Sequence, residues 1–316
     1  MQAAGAPVAP PRFRRALVTG GAGFIGSRVV RLLLARGIAV TVLDDLSTGT
    51  RAAVPPEARL VVGDVRDPAM VRSALEGAEA VFHLAAKVSV RGSFEHFYDD
   101  VSTNILGTAN LLRSLDGAVR HFVLASSMAV YAESEPGRPV SEDHPCRPLS
   151  PYGVGKLTAE LLAAQVLQRM GIAFTALRYF NTFGPGQRFT PYVGVITIFV
   201  TRLLRGEPPV IFGDGLQRRD FVHVEDIARG TVAALDGPPG VYNLGTGTGT
   251  TVLELARLLV DRIAPSVQVV HAPAQEGELR HSVADIRAAR ARLGYRPERS
   301  LATDIDAVIE ALRQGA

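Results

Sequence analysis

A tyrosine and a lysine that could act together lie four residues apart, as Tyr152 and Lys156 in the motif YGVGK. At this spacing the two side chains share one face of a helix, about one turn apart. A phenol has an ordinary pKa of about 10 and becomes a useful base when nearby positive charge favours the phenolate. One cation at about 4 Å supplies roughly the 4 kcal/mol that a base at neutral pH requires. The spacing indicates a Tyr152 general base assisted by Lys156, and the alternative is a surface pair on an ordinary helix.

Lysine is rare in this chain, and its placement supports the same interpretation. It occurs only at Lys87 and Lys156, whereas arginine takes the other basic positions. An ammonium is compact and its pKa shifts readily, whereas a guanidinium is a rigid fork that stays charged. The presence of a lysine at position 156, in a chain that otherwise uses arginine, therefore indicates a specific role for its ammonium rather than a general preference for positive charge.

A serine hydroxyl is expected close to this pair. Ser127 follows the apolar segment His121–Ala125, which reads as a buried strand. At the end of that strand its hydroxyl would hydrogen-bond a substrate oxygen that passes between alcohol and ketone. The alternative is a serine that caps a turn.

Other catalytic classes find less support in the sequence. His83 lies in the apolar run Phe82–Ala86, which favours a hydrogen-bonded core histidine over a catalytic one. The sequence has no Gly-x-Ser-x-Gly elbow and no spacing of metal ligands, which disfavours a hydrolase triad and a metal site.

The first part of the chain has the pattern of a dinucleotide-binding unit. A strand at Arg15–Thr19 leads into the glycine-rich stretch Gly20–Gly26, and a helix at Ser27–Ala35 and a strand at Val40–Leu43 follow. Such glycines permit a tight turn and the close approach of a pyrophosphate to a helix N-terminus. Asp44, which ends the second strand, is placed to accept hydrogen bonds from an adenosine ribose and to repel a 2′-phosphate. The unit therefore predicts an NAD site, and the alternative is merely a tight turn.

Apolar strands continue to alternate with helices along the chain. Further strands are expected at 60–62, 80–86, 121–125 and 174–179, and helices at 101–115 and 152–170. This alternation predicts an α/β fold with a doubly wound parallel (Rossmann) sheet, whose ligands gather at the carboxyl ends of the strands. Beyond about residue 181, glycine and proline punctuate shorter elements, which indicates a second, smaller α/β domain. The predicted division is a flexible leader at 1–13, an NAD-binding domain at 14–180 with a returning segment at about 220–248, and a substrate domain over the rest of 181–316.

Composition excludes several classes of protein. The chain has 316 residues, a formal net charge of +3, and 47% hydrophobic and 21% charged residues, which fits a globular enzyme with no nucleic-acid partner. A single cysteine, Cys146, excludes an internal disulfide and a cysteine-rich metal site. The start of the chain lacks the apolar core of a signal peptide, and no apolar run is long enough to span a membrane. We therefore expect a cytoplasmic protein.

Several motifs, in this order and spacing, resemble one family. They are TGGAGFIG at 19–26, DDLSTG at 44–49, GDVRD at 63–67, HLAA at 83–86, SSMAVY at 126–131, YGVGK at 152–156, RYFNTFGPGQ at 178–187, GDGLQRRDFVHVEDIA at 213–228 and ELRHSVADI at 278–286. From about Ala16 to Pro297 the chain resembles the extended short-chain dehydrogenases/reductases of the NAD-dependent epimerase/dehydratase family. Within that family it is most similar to the UDP-glucose 4-epimerases.

The resemblance implies roles for particular residues. Ser127, Tyr152 and Lys156 would be catalytic. The implied NAD-binding residues are Gly20, Gly23, Phe24, Ile25, Gly26, Asp44, Asp45, Leu46, Ser47, Thr48, Gly49, Asp64, Val65, Leu84, Ala85, Ala86, Lys87, Asn104, Tyr152, Lys156 and Phe180. The implied substrate-binding residues are Ser127, Tyr152, Asn181, Arg219, Arg280 and Ser282. The two arginines offer forks suited to phosphates, and the alternative for each is a solvated surface arginine.

The reaction implied by the resemblance is 4-epimerisation of a nucleotide sugar by transient oxidation. Tyr152 would take the proton of the sugar 4-hydroxyl while C4 gives hydride to NAD. The resulting 4-keto sugar would turn and take hydride back on its other face, so NAD must stay bound throughout. UDP-glucose/UDP-galactose is the expected substrate pair.

Departures from related enzymes narrow this expectation. Where related 4,6-dehydratases carry an acidic pair and related decarboxylases a glutamate, this chain has Met128 and Ala129, which cannot exchange protons. Ser282 occupies a position where glucose-restricted epimerases resemble one another in having a tyrosine, so N-acetylhexosamines would also fit. Arg91 matches an arginine of some uronate epimerases, although an arginine of the nucleotide-binding loop is the simpler interpretation.

Three other functions stay open as alternatives to a UDP-glucose 4-epimerase, and a second copy of the chain is the expected protein partner. The alternatives are a UDP-glucuronate or UDP-GlcNAc 4-epimerase, a net NAD-dependent nucleotide-sugar oxidoreductase, and a cofactor-binding regulatory protein without catalysis. The helices at 101–115 and 151–170 resemble the two-fold interface of the family, which implies a homodimer.

Overall fold

The computed structural model of the chain describes residues 12–188, 194–274 and 279–314. Residues 1–11 of the predicted leader therefore lie outside the described residues. Phe13, by contrast, is buried, and the guanidinium groups of Arg12 and Arg120 lie over its ring at 5.2 and 4.8 Å. This apolar anchor places the start of the packed chain before the boundary predicted at residue 14.

The strands and helices follow one another in α/β order. The strands are β1 Arg15–Thr19, β2 Ala39–Asp44, β3 Arg59–Val62, β4 Ala80–His83, β5 His121–Ser127, β6 Ala173–Tyr179, β7 Asn181–Phe183, β8 Val210–Phe212, β9 Arg218–His223, β10 Gly240–Leu244, β11 Gly249–Thr251, β12 Val270–Ala272 and β13 His281–Ser282. The helices are α1 Gly26–Ala35, α2 Pro68–Leu75, α3 Gly92–Glu95, α4 Phe97–Val101, α5 Thr108–Arg113, α6 Pro151–Met170, α7 Val195–Leu204, α8 Val224–Ala233, α9 Val252–Ile263, α10 Arg287–Leu293 and α11 Leu301–Gln314.

The main sheet has seven parallel strands in the order β10-β6-β5-β4-β1-β2-β3. Alternate residues of its strands point to opposite faces, so neighbouring residues enter different cores. Val18 and Phe82 pack with α1 and α8, whereas Leu17 and Val81 pack with α2, α5 and α6. Helices thus cover both faces, which explains why the central strands are apolar throughout. The predicted doubly wound parallel fold is confirmed.

Helix α6 has the bounds that the sequence signals predict. Ser150 caps its N-terminus by accepting a hydrogen bond from the Gly153 N–H at 3.2 Å, and Pro151 occupies the first turn. Gly171, with φ +69°, ends the helix in the left-handed conformation that glycine adopts without strain. Tyr152 and Lys156 therefore lie one turn apart in one helix.

The predicted helix at 101–115 is a longer and less regular segment. It runs through α4, a π-helical stretch at Ser102–Gly107, and α5. A π-helical turn rotates the side chains that follow it relative to a regular helix. This irregularity has no signature in the sequence pattern.

The second part of the chain forms smaller sheets with a separate core. Strand β9 pairs with β7, β11 and β13, and β8 pairs with β12. Helices α7, α9 and α11 pack their apolar faces together beside these strands. Between them the chain returns to the main sheet, where β10 pairs with β6 and α8 packs on α1.

In the described ranges no helix has both the length and the apolar character needed to cross a bilayer.

Candidate active site

The glycine-rich loop between β1 and α1 is packed too tightly for larger residues. The Gly20 N–H donates to the Leu43 carbonyl oxygen at 2.8 Å, and φ of Gly20 is +72°. A Cβ on Gly20 would lie 2.7 Å from the Ala85 nitrogen, and one on Gly26 would overlap the Gly20 carbonyl oxygen. The loop thus presents bare backbone at the N-terminus of α1, where N–H groups and the helix dipole favour an anion.

Asp44 holds the loop that follows β2. Its carboxylate accepts the Ala22 N–H at 2.9 Å with one oxygen and the Leu46 N–H at 2.9 Å with the other. Burial raises the pKa of this carboxyl group. Leu46 has φ +59°, the one non-glycine residue in the left-handed region among those described. Such strain is held by the surrounding structure and is typical of ligand-binding loops.

The other predicted cofactor residues line the same edge of the sheet. Asp45 accepts the backbone N–H and the hydroxyl of Ser47. Asp64 forms a two-pronged pair with Arg66, whose Nη2 lies 2.5 Å from Oδ2, and this pair lowers the pKa of Asp64. A ligand that contacts Asp64 therefore meets a carboxylate already paired with a guanidinium.

Asn104, on the π-helical stretch, fixes the segment that follows β4. Its Oδ1 accepts the Lys87 N–H at 2.9 Å, and its Nδ2 donates to the Lys87 carbonyl oxygen at 3.0 Å. The same amide donates to Asp100 at 2.8 Å. Asn104 thereby orients the predicted cofactor residues Leu84–Lys87.

His83 lies in the interior, at the end of β4. Its ring nitrogens pair with the hydroxyls of Thr19 at 2.7 Å and Thr108 at 2.9 Å. Burial lowers its pKa to about 3, so the ring is neutral. The interpretation of His83 as a core histidine is confirmed.

Ser127, Tyr152 and Lys156 meet where β5 ends and α6 begins. The Ser127 side chain lies near enough to the Tyr152 hydroxyl to lower its pKa, and the Lys156 nitrogen lies 5.9 Å from the centre of the Tyr152 ring. Lys156 donates to the Ala125 carbonyl oxygen at 2.9 Å, and the Tyr152 N–H donates to the Ser93 hydroxyl at 3.1 Å. All three catalytic candidates are buried. The structure therefore brings together the three residues that the sequence singled out.

The electrostatics of this group differ from the sequence-based expectation. Burial raises the pKa of Tyr152 to about 12, against the favourable effect of the Ser127 hydrogen bond. Burial also lowers the pKa of Lys156 to about 8, while the carboxylates of Asp100 and Glu160 raise it. The downward shift expected of Tyr152 does not arise from the protein groups by themselves, because desolvation of the phenolate outweighs them.

Two buried acids that sequence reasoning missed face this group. Asp100 is buried beside Asn104, and burial raises its pKa to about 6. Glu160 lies one turn beyond Lys156, pairs with Arg178 at 2.7 Å and accepts the Ser126 hydroxyl. The i, i+4, i+8 spacing of 152, 156 and 160 was the one signal in the sequence that could have indicated Glu160.

The predicted substrate residues Asn181, Arg219 and Arg280 differ in their burial and in the partners that they already have. Asn181 has a buried side-chain oxygen with no hydrogen-bond partner among the described residues, which suits a ligand donor. Arg219 is buried, and its Nη1 donates to the Arg218 carbonyl oxygen at 3.0 Å. Arg280 is half exposed and pairs with Asp214 at 2.5 Å. Phe180, which was predicted to bind NAD rather than the substrate, is buried, and its N–H donates to the Leu244 carbonyl oxygen at 3.0 Å.

The structure alters two inferences about substrate specificity, those for Ser282 and Arg91. Ser282 is 1% exposed, and its hydroxyl lies 3.2 Å from the Met128 sulfur. Met128 therefore covers Ser282, and the room argued for a 2-acetamido group is not opened by Ser282 alone. Arg91 lies over the Phe212 ring at 4.8 Å, which joins the two parts of the chain.

A glycine loop on the first strand and a serine, tyrosine and lysine at the end of β5 define a dinucleotide-dependent enzyme of the short-chain dehydrogenase/reductase type. The chain belongs to the NAD-dependent epimerase/dehydratase family, whose profile matches residues 16–245. The predicted family is confirmed, and NAD is the cofactor for which the family is named.

Individual relatives carry more than one activity. A putative UDP-glucose 4-epimerase of Methanocaldococcus jannaschii is 38% identical over 302 residues, which cover 94% of this chain and 98% of the relative. A dTDP-glucose 4,6-dehydratase of Streptomyces antibioticus is 38% identical over 314 residues, 94% of this chain and 92% of the relative. The crystal structure of Thermus thermophilus UDP-glucose 4-epimerase in complex with NAD matches with a TM-score of 0.90 at 37% identity, covering 96% of this chain and 100% of that chain.

Proposed function

We propose that the chain is an NAD-dependent UDP-hexose 4-epimerase that interconverts UDP-glucose and UDP-galactose. One observation carries the proposal: the Ser127–Tyr152–Lys156 group is complete, whereas the positions after Ser127 hold Met128 and Ala129. A thioether and a methyl group cannot exchange the protons that elimination from C5 and C6 requires. Reversible oxidation at C4 needs only the tyrosine as acid and base.

The residues at the carboxyl edge of the main sheet suit NAD. The glycine loop packs backbone against backbone where a Cβ would overlap its neighbours, and it ends at the N-terminus of α1, where N–H groups favour an anion. The Asp44 carboxylate, at the end of β2, has capacity for ribose hydroxyls beyond its two backbone bonds. When bound, NAD supplies the ring that accepts and returns hydride, together with the positive charge of that ring.

Each side chain of the catalytic group has a distinct task in this proposal. Tyr152 takes the proton of the sugar 4-hydroxyl and returns it to the epimeric alcohol. Ser127, whose side chain lies close to the Tyr152 hydroxyl, holds the reacting oxygen of the sugar. Lys156 keeps a positive charge in a buried site, where it favours the phenolate more strongly than it would in water. Burial of all three groups limits the access of water to the keto sugar.

In this proposal the protein binds its substrate through a nucleoside diphosphate group. Arg219 and Arg280 offer forked donors for phosphates, and Asn181 offers an unpaired carbonyl oxygen. The pairing of Arg280 with Asp214 is half exposed, so it contributes little to stability and yields readily to a phosphate. Relatives that include a UDP-glucose 4-epimerase and a UDP-glucuronic acid decarboxylase support a UDP-sugar as the substrate.

The test is substitution of the proposed base. Tyr152→Phe removes the phenolic oxygen, and we expect NAD binding to persist while interconversion of UDP-glucose and UDP-galactose falls by a factor of about 10³ or more. The measurement is chromatographic separation of the two sugars with mass spectrometry, since epimerisation leaves the mass unchanged. Tyr98→Phe is the control, because Tyr98 is exposed.

Other outcomes of the same assay point to other functions. Full turnover by Tyr152→Phe contradicts the assigned role. A product lighter by water indicates a dehydratase, and one lighter by carbon dioxide a decarboxylase. Stoichiometric accumulation of NADH indicates a net oxidoreductase. Turnover confined to UDP-glucuronate or UDP-GlcNAc in a substrate panel replaces the proposed sugar and keeps the mechanism.

We also propose a homodimer through the helical segment 97–113 and α6. These helices pack against each other and leave large apolar side chains exposed. The exposed residues of this patch are Phe97, Tyr98, Val101, Leu106, Val154 and Leu161. Contiguous apolar surface on a globular protein marks an interaction site, and a second copy would cover it.

A further inference from the structure

A largely buried arginine, Arg28, joins three separate segments of the chain beside the glycine loop. Its Nη1 donates to the Phe24 carbonyl oxygen at 2.6 Å, and its Nη2 donates to the Pro185 carbonyl oxygen at 2.5 Å. Its Nε pairs with Glu225 at 3.0 Å, and its side chain is 13% exposed. The guanidinium also lies 5.0 Å from the centre of the Phe24 ring. All three nitrogens of the Arg28 guanidinium therefore have a partner.

The three segments come from distant parts of the sequence. Phe24 belongs to the glycine loop, and Glu225 lies in the first turn of α8. Pro185 lies just beyond β7, the strand that begins with Asn181. The same segment reaches a second cofactor loop, because Arg188 Nη1 lies 3.4 Å from the Thr48 carbonyl oxygen. The chain at 184–188 therefore lies against both loops of the proposed NAD site.

We propose that Arg28 is a positioning residue that retains NAD by tying the glycine loop to the Pro185 segment. This inference rests on the proposed function, because a 4-epimerase must keep one NAD bound while the keto sugar turns. Release of NAD in mid-cycle would leave a keto sugar that cannot be reduced. Separation of the two segments requires the loss of the hydrogen bond from Arg28 to the Pro185 carbonyl oxygen, and charge-assisted bonds of this kind are among the stronger hydrogen bonds in proteins.

The fork of Arg28 explains why another cation would serve less well. A lysine at this position has one nitrogen and cannot reach Phe24, Pro185 and Glu225 with the same planar geometry. The prediction therefore separates geometry from charge: Arg28→Lys keeps the charge and loses the fork, whereas Arg28→Gln loses both.

The experiment uses the full chain loaded with NAD. Release of NAD is followed after an excess of NADH is added, through the fluorescence of NADH as it enters vacated sites. We expect Arg28→Gln to accelerate release roughly tenfold or more, and Arg28→Lys to fall between it and the unaltered protein. Arg31→Gln is the matched control, because Arg31 is an exposed arginine of the same helix, and its release rate should be unchanged.

Folding of each variant is checked by circular dichroism and thermal unfolding. If Arg28→Gln does not fold, Glu225→Gln replaces it. Glu225 is partly exposed, and the loss of its charge weakens the same set of contacts around the Arg28 guanidinium. Release from Glu225→Gln should then exceed that from Arg31→Gln. If NAD leaves Arg28→Gln, or Glu225→Gln where it is used instead, at the same rate as it leaves Arg31→Gln, the inference is overturned.

Failure of the inference and failure of the proposed function give different results. If the unaltered protein holds NAD and epimerises UDP-glucose but Arg28→Gln releases NAD no faster, the inference alone is wrong. If the unaltered protein holds no NAD and epimerises no sugar nucleotide, the proposed function is wrong, and the inference falls with it.

Discussion

At the scale of single residues, burial acts on Tyr152 and Lys156 in opposite directions. It raises the pKa of the phenol to about 12 and lowers the pKa of the ammonium to about 8, since the neutral form is favoured in each case. The carboxylates of Asp100 and Glu160 oppose the effect on Lys156. The charge on Lys156, and with it the proposed ability of Tyr152 to act as a base, thus depends on Asp100 and Glu160, which lie outside the motif YGVGK.

Replacement of Asp100 tests this dependence. Asp100→Asn removes a negative charge that raises the pKa of Lys156, so we expect the alkaline limb of the pH profile of kcat/KM to move to lower pH. The expected displacement is about half to one pH unit. Asp99→Asn is the control, because Asp99 is an exposed neighbour.

The stability of the Asp100→Asn variant checks that the effect is local. The pKa of Asp100 is raised from 3.8 to about 6, so its contribution to stability is lost as the pH rises through that window. The amide still accepts the Asn104 hydrogen bond and has no charge to desolvate. The free energy of unfolding at pH 7.5 should therefore not fall, and an alkaline limb that stays in place or moves upward would contradict the role given to Asp100.

At the scale of elements, the start of α6 lies against the turn that follows β5 with no room for a side chain. A Cβ on Gly153 would overlap the Ala129 carbonyl oxygen and lie 2.8 Å from the Pro148 Cβ. A Cβ on Gly155 would lie 3.5 Å from the Asn104 Cβ, an ordinary contact. The two glycines of the YGVGK motif therefore differ in purpose, although the sequence presents them alike.

A pair of matched substitutions tests this difference. Gly153→Ala pushes α6 away from the end of β5, and we expect a loss of roughly 1–3 kcal/mol in the free energy of unfolding, as in other overpacked sites. Gly155→Ala gains the intrinsic helix preference of alanine, about 1 kcal/mol, and should be neutral or stabilising. Urea unfolding followed by circular dichroism measures both. Equal effects of the two substitutions would show that the spacing of α6 from β5 does not depend on Gly153.

At the scale of the whole molecule, the proposed catalytic edge lies between two packed parts that share a core and are joined by backbone and side-chain hydrogen bonds. Among the side chains that link them, Arg28 reaches Pro185 and Arg91 reaches Phe212. The main sheet and α6 supply the proposed cofactor loops and the proposed catalytic group, whereas the smaller sheets supply Arg219 and Ser282. In the proposed function, the relative placement of the two parts therefore governs how a substrate meets Tyr152.

The proposed dimer belongs to this scale and has its own test. Leu161→Arg places a charge in the centre of the apolar patch on α6, and we expect a monomer where the unaltered protein is a dimer. Light scattering after size-exclusion chromatography measures the mass. Leu216→Arg is the control, because Leu216 is exposed to a similar extent (53% against 60% for Leu161) outside that patch. A dimer that persists in Leu161→Arg, or a monomeric unaltered protein, would contradict the proposed interface.

Local patterns in the sequence determined much of this protein. Apolar strands alternating with helices specified the parallel sheet, because each strand must be buried on both faces. Capping residues specified α6 from Pro151 to Met170, and glycines specified the turn after β1, because these signals act through neighbouring backbone. The motif YGVGK placed Tyr152 and Lys156 on one helix for the same reason.

Only the tertiary structure decided which distant groups surround those residues. Asp100 and Glu160 set the charge of Lys156, Met128 covers Ser282, and Arg28 joins Phe24 to Pro185. Each of these contacts brings together side chains from separate elements, and its existence depends on how helices and sheets pack rather than on any local spacing. The pKa of Tyr152 belongs to the same class, because burial is a property of the assembled fold.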